Sequence, residues 1–295
     1  MRTLFVTCLY SKLFGTEFGG RDSRDGHYRH SLKSLLKMSD AKFICYTSEE
    51  QINDLKSFFY KKNNFTEDQI QFKVFNLKDC EFHNKISELK KTQNNLLNDR
   101  CYEIQYSKFF WCLENCNNSD FDYVFWIDAG LSHSGLIPPK YLDQTKGYWE
   151  KYFESSLFNN NFLNNLLDHI GDKIVVCAKE NQRNHWSKTL PKKYYNNYSF
   201  DRHIIGGLFG GKKEKLKQFC NLFDKNVKNV LENETELYLE ENIMSLIYSN
   251  NNEIFNPLLF DIWWHEEDSI PGVDLKELTL KEKSFYKIIE NLNNN

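Results

Sequence analysis

Short runs of apolar and β-branched residues alternate with longer amphipathic stretches through the first half of the chain, the pattern of a mostly parallel sheet covered by helices. Strands are expected at Thr3–Leu9, Lys42–Thr47 and Gln71–Asn76, each followed by polar turn residues. Helices are expected at His30–Met38, Glu49–Tyr60 and Tyr102–Asn115, where apolar residues recur at three- and four-residue intervals. Tyr123–Ile127, aromatic and β-branched throughout, is the strongest strand, and it ends at Asp128 with Ala129 and Gly130 behind it. Further on, the pattern predicts a helical segment at Tyr148–His169 and a strand at Lys173–Ala178. A glycine-punctuated strand and tight turn follow at His203–Gly211, then helices at Lys212–Val230 and Glu234–Tyr248. The end turns from an apolar and aromatic stretch, Phe255–Asp268, to a closing helix at Leu275–Leu292. The fold class is therefore α/β: a Rossmann-like, mixed but mainly parallel central sheet flanked by helices.

Composition narrows this picture. With 295 residues, 40% of them hydrophobic, and 24 Phe and 16 Tyr, one elaborated domain over 1–295 has ample core material. A net charge of −3 excludes a general nucleic-acid binder, which carries a marked basic excess. The eight cysteines are scattered through predicted strands and helices, as reduced core thiols are. Cys112 and Cys116 lack a second Cys or His pair at zinc-site spacing. The N-terminus reads as a first strand rather than a signal peptide, and no run approaches the roughly 20 apolar residues of a membrane span. The chain is expected to be cytoplasmic, with at most peripheral membrane contact.

Candidate chemistry begins at Asp128. Open α/β sheets bind ligands at the carboxyl ends of their strands, where an acid can ligate a divalent cation or accept a ribose hydroxyl, and Gly130 lets the backbone approach that ligand. The other reading is an Asp that caps the following turn. Gly206-Gly-Leu-Phe-Gly-Gly211 lacks the Gly-Lys-Ser/Thr ending of a P-loop, which excludes that motif. Glu240 and Glu241 point about 100° apart on a helix, so one of them is expected to face a pocket. Glu241 lies nearer the face defined by Ile243, Leu246 and Ile247. Lys108, just ahead of Phe109-Phe110-Trp111, is an unusual charge on a buried face, with a snorkelling surface lysine as the alternative.

Several stretches together resemble the HtrL/YibB-like family of GT-A-type glycosyltransferases. They are Tyr106-Ser-Lys-Phe-Phe110, Val124-Phe-Trp-Ile-Asp-Ala-Gly-Leu-Ser-His133, Ile204–Gly211, and Glu240-Glu-Asn-Ile-Met-Ser-Leu246 followed by Glu253-Ile-Phe255. The resemblance implies a nucleotide-sugar donor, UDP-linked first, and transfer of a hexose to a glycan or lipid-linked acceptor. It places the nucleotide in the half at about 1–135 and the acceptor in the half at about 136–295. Thr7 and Tyr10 then lie where base and ribose bind, Tyr10 stacking on uracil. Arg21, Arg24, Arg29 and Lys108 are phosphate candidates, and Gly206 and Gly207 offer the sugar bare backbone. Glu241 or Glu240 becomes the catalytic base, with Asp128 beside it. Gly130 stands where the family's Asp-x-Asp pattern has its second acid, so a metal, Mn²⁺ or alternatively Mg²⁺, would be held by Asp128 with His133 and His265. Imidazole suits Mn²⁺ better. Trp126, Trp186, Trp263 and Trp264 are candidates to stack on sugar faces. A noncatalytic nucleotide- or glycan-binding protein with a degenerate GT-A fold is the alternative.

Overall fold

The computed structural model describes residues 1–13, 16–17, 25–92, 101–131, 158–179, 190–196, 202–260 and 292. In chain order the elements are β1 (Thr3–Cys8), β2 (Lys12–Leu13), β3 (Thr16–Glu17), α1 (Asp25–Leu35), β4 (Ala41–Thr47), α2 (Glu49–Lys56), β5 (Ile70–Val74), α3 (His83–Thr92), α4 (Tyr102–Asn118), β6 (Tyr123–Ile127), α5 (Asn160–Ile170), β7 (Ile174–Lys179), β8 (His203–Lys212), α6 (Lys213–Asn233), α7 (Glu240–Asn250) and β9 (Phe255–Phe260). Seven strands form one sheet in the order β5-β4-β1-β6-β8-β7-β9, and β2 with β3 make a small separate hairpin. Every pairing in the large sheet is parallel except those of β8, which runs antiparallel to both β6 and β7. This is the mixed, mainly parallel sheet flanked by helices that the hydrophobic pattern predicts.

The strands read as continuous apolar runs because both faces of the sheet are covered. Leu4 and Val6 of β1 point into one core with Val124, Trp126 and Phe209, under Phe109 of α4, Phe219 and Phe223 of α6 and Ile243 of α7. Phe5 points the other way, into a core with Phe43, Phe125 and Val175 beneath Leu32 of α1, Leu55 of α2 and Phe162 of α5. Phe109 is clamped between rings, stacked at 4.7 Å on Phe209 and at 3.4 Å on Phe223. On α6, Leu216, Phe219, Cys220, Phe223, Val227 and Val230 repeat at helical spacing, which lays one stripe of that helix on the sheet. All eight cysteines are free thiols, seven of them buried.

Several elements differ from the sequence expectation. The helix expected from Glu234 starts at Glu240, because Leu237 and Tyr238 are drawn into the core and the Tyr238 carbonyl accepts the Tyr106 hydroxyl. The helix from Glu49 turns into a wider π-turn over Ser57–Lys62. Helix α3 was not expected, since it offers the core only Ile86 and Leu89 among polar residues. The closing helix expected at Leu275–Leu292 lies outside the described residues, Leu292 apart. Among the described residues, no helix is long and apolar enough to cross a membrane.

One topological feature positions the site. From β1 the chain adds β4 and β5 on one side of the sheet and then β6 on the other. The crossover connections thus diverge between β1 and β6, and it is outside the carboxyl ends of strands at such a switch point that open α/β sheets bind their ligands.

Candidate functional site at the carboxyl ends of β1 and β6

Lys108 of α4 is 5% exposed, and its ammonium reaches three acceptors: Glu240 Oε1 at 2.8 Å, Asp128 Oδ1 at 3.1 Å and the Gly206 carbonyl at 3.2 Å. An ammonium has three protons to donate, and all three are used. The charge also lies 5.2 Å from the centroid of the Trp126 ring, within cation–π range. Burial disfavours the charged lysine, but Asp128 and Glu240 outweigh burial and raise its pKa. Lys108 is therefore a fixed internal cation joining α4, β6, β8 and α7. The ammonium that the sequence offers to a phosphate is engaged here within the protein, by Glu240, Asp128 and the Gly206 carbonyl.

Strand β8 runs past the end of β6, whose last paired residue, Ile127, faces Leu208. Beyond that point the N–H groups of β8 turn to α7. Ile204 N–H donates to Ser245 Oγ at 3.0 Å, and Gly206 N–H donates to Glu241 Oε1 at 3.0 Å. On the other side β8 bulges, since Val176 faces Phe209 while Cys177 faces Ile205, leaving Gly206, Gly207 and Leu208 without a partner on β7. A Cβ on Gly206 would lie 2.6 Å from Glu240 Oε1. At Gly206, where the sequence suggested bare backbone for a sugar, the space beside the Cα holds the protein's own Glu240 carboxylate. Gly210 has φ +153° and lies so close to the backbone of Val124 and Phe125 that only glycine fits.

Both acids at the start of α7 meet β8 at Gly206, Glu240 as the buried one and Glu241 as the partly exposed one. The glycine lets Glu240 come in from one side while its N–H captures Glu241 from the other. Glu240 is the more buried of the two, against the preference for Glu241. Burial raises the pKa of Glu240, Lys108 lowers it, and neighbouring Glu241 raises it again. Glu241 keeps 20% of its side chain exposed, with Oε2 3.3 Å from Nε2 of buried His203.

Asp128 is the outward-facing member. Its backbone N–H continues the ladder to the Gly207 carbonyl at 2.8 Å, and its own carbonyl closes a turn with Leu131 N–H at 2.9 Å. Oδ1 accepts from the Trp126 indole at 2.8 Å as well as from Lys108. The side chain is 42% exposed, and Oδ2 has no partner among the described residues. Gly130, two residues on, is buried.

The remaining predicted residues are distributed differently. Thr7 is wholly buried on the α1 side of the sheet, the same side as Phe5, and its hydroxyl has no hydrogen-bond partner among the described residues. It is thus on the opposite face from Lys108. Tyr10 follows β1, but its hydroxyl donates to the Phe75 carbonyl at 3.0 Å and its ring stacks on Trp111 at 6.4 Å. Arg29 is engaged by Asp54 at 2.6 Å on the α1 face, beside the Phe58 ring. Trp126 is 1% exposed and orients Asp128, so it cannot stack on a sugar. His133, His265, Arg21, Arg24, Trp186, Trp263 and Trp264 lie outside the described residues.

His203 and Lys179 were missed. Lys179 ends β7, is 2% exposed, and faces His203 across the ladder. The signal for it was a lysine closing an otherwise wholly apolar strand, Ile-Val-Val-Cys-Ala-Lys. Among the described residues, no group of three or more His, Cys, Asp or Glu side chains is placed to hold a metal ion. Asp128 offers such an ion one uncommitted oxygen and holds an ammonium on the other. The described donor set by itself does not fit a divalent cation.

No family model matches the sequence, and no curated protein sequence matches it. Many solved structures are similar to the chain, and two of them match over most of its length. One is 4-diphosphocytidyl-2C-methyl-D-erythritol synthase from Anaerococcus prevotii DSM 20548, 9% identical, with a TM-score of 0.40 over 88% of this chain and 86% of that one. The other is mouse xyloside xylosyltransferase 1 in its apo form, 11% identical, with a TM-score of 0.47 over 88% of this chain and 85% of that one. The functional reading rests on the residues of the site.

Proposed function

We propose that this chain is a glycosyltransferase that moves a hexose from a nucleotide-diphosphate sugar, UDP-linked first, to a hydroxyl of a glycan or lipid-linked acceptor. The observation that carries this reading is the Asp128 carboxylate, anchored through Oδ1 and exposed through Oδ2 at the carboxyl ends of β1 and β6. An oxygen so fixed can accept a ribose or sugar hydroxyl without first having to be ordered. Glu241, partly exposed and held by the Gly206 N–H, supplies a carboxylate able to take the acceptor proton. Lys108 sets the geometry of both Asp128 and Glu240 from beneath. The resemblance of the Val124–His133 and Glu240–Leu246 stretches to HtrL/YibB-like glycosyltransferases points the same way. In this reading the nucleotide occupies the half at about 1–135 and the acceptor the half at about 136–295, and the protein works in the cytoplasm, at most peripheral to a membrane.

Mn²⁺, or Mg²⁺ in its place, would need His133 and His265 beside Asp128, and no step proposed here depends on it. A second reading, a noncatalytic nucleotide- or glycan-binding protein, is favoured by one observation: Gly130 stands where a second acid would sit. One experiment separates the readings. Melting temperature is measured with UDP, GDP, CDP, ADP and their sugars, with and without Mn²⁺, and release of free nucleotide diphosphate is then followed with the donor that binds. The transferase reading expects a rise with UDP-sugars and acceptor-dependent release of UDP. A rise without release supports the binder, and no rise with any nucleotide sinks both.

A further inference from the structure

The site holds three carboxylates whose partners differ in kind. Asp128 and Glu240 share the buried ammonium of Lys108. Glu241 instead faces an imidazole, His203, which is 4% exposed at the start of β8. Its other oxygen takes the Gly206 N–H, so each carboxylate oxygen meets a residue of the same strand, β8. Its main-chain carbonyl accepts Ser245 Oγ, the group that also receives Ile204 N–H. A carboxylate fixed in this way, and still 20% exposed, has its lone pairs aimed before substrate arrives.

We propose that His203 is the positioning residue for the catalytic base Glu241; this rests on the transferase reading above. In the transfer step the acceptor oxygen bonds to the anomeric carbon. The bond from that carbon to the diphosphate breaks, and the electron pair leaves with the nucleoside diphosphate. The acceptor proton passes to Glu241, and His203 Nε2 keeps that carboxylate turned to receive it. Among the described residues, the charged groups around the pair include Glu240 beside Glu241 on α7, Lys179 across the ladder from His203, and Lys108 with Asp128 beyond Gly206.

The test measures donor affinity and turnover separately, with the wild-type transfer assay run first. His203→Ala is expected to lower kcat by about 100-fold, the lower end of what a positioned acid–base group contributes, with donor Kd unchanged within about twofold. His203→Gln, which keeps a donor near the Nε2 position, is expected to recover most of that loss. If the alanine variant does not fold, His203→Asn, too short to reach Glu241, takes its place. Turnover within twofold of wild type, or donor affinity falling in step with kcat, overturns the inference while leaving the transferase reading intact. A wild-type protein that transfers sugar from no donor overturns both.

Discussion

Helix α4 buries two charged residues one and a half turns apart, and they are treated in opposite ways. Near its start Glu103, 1% exposed, meets His83 at 3.0 Å and Lys90 at 3.7 Å, both of α3 and both about a quarter exposed. Its charge is neutralised by groups that still reach water, so the cluster is a staple holding α3 against α4. Lys108 meets two acids and a carbonyl from three other elements, and its closest partner, Glu240, is as buried as itself. Only Asp128 leads outward. A buried charge is costly unless fully paired, so a network that spends an ammonium's whole capacity to fix one half-exposed carboxylate is a scaffold for that carboxylate. The same helix thus carries a joint at one end and a site support in the middle.

The hardest test of that contrast is Lys108→Met. It leaves Glu240 buried without a counter-ion and releases Asp128, and a loss of about 3–5 kcal/mol is expected, the range for breaking one side of a buried pair. The pH dependence has a definite sign. Glu240 has a raised pKa from burial and Glu241, held down by Lys108; without Lys108 it rises further. A carboxyl whose folded pKa lies above its unfolded value of about 4.3 contributes stability that is fully present below that value and is lost as pH rises through the folded pKa. The deficit of the variant relative to wild type should therefore be smallest near pH 4 and grow towards neutrality, as read from urea midpoints at each pH. A deficit independent of pH would mean that Glu240 is not the group left stranded.

Gly206→Ala comes next. The backbone there is compatible with alanine, but the added Cβ would fall 2.6 Å from Glu240 Oε1. A loss of about 1–3 kcal/mol is expected, as for other overpacked sites. In the double variant with Glu240→Ala most of that added cost should vanish, and additive losses would place the strain elsewhere. On the staple side, Glu103→Gln is expected to cost about 1–2 kcal/mol, the scale of hydrogen bonds to a charged group. Its effect should be local, with faster amide exchange in α3 and an unchanged response to nucleotide. If it weakened ligand binding as much as Lys108→Met does, the two regions would not be separate.

What the sequence disclosed follows the range of the interactions involved. Tyr123–Ile127 was legible to the residue because its apolar side chains fill both cores. Asp128 was legible from its place behind that strand. Lys108 was visible as an anomaly, a charge ahead of three aromatics. Two of its three partners lie 98 and 132 positions along the chain, and no local pattern names them. The glycine run suggested close approach, correctly at Gly206, but not that the approaching group is Glu240. Thr7, Tyr10 and Arg29 were placed by the family resemblance, which does not tell which face a side chain takes. His203 was hidden for a similar reason: its role arises from an overhang of β8 beyond β6, a matter of register.

The smallest expected effect on stability separates scaffold from site most cleanly. Asp128→Asn keeps an oxygen in place to accept the Trp126 indole N–H, and Lys108 retains Glu240 and the Gly206 carbonyl. The side chain is 42% exposed, so the ion pair it loses is largely screened and the cost should be about 1 kcal/mol or less. Yet the amide replaces the outward Oδ2 with a donor or a neutral acceptor, which removes the charge presented at the strand ends. The nucleotide-induced rise in melting temperature should be lost while the unliganded melting temperature barely moves. A variant that melts as wild type and still responds to nucleotide would show that Asp128 only completes the Lys108 network, and the outward half of the comparison would fall.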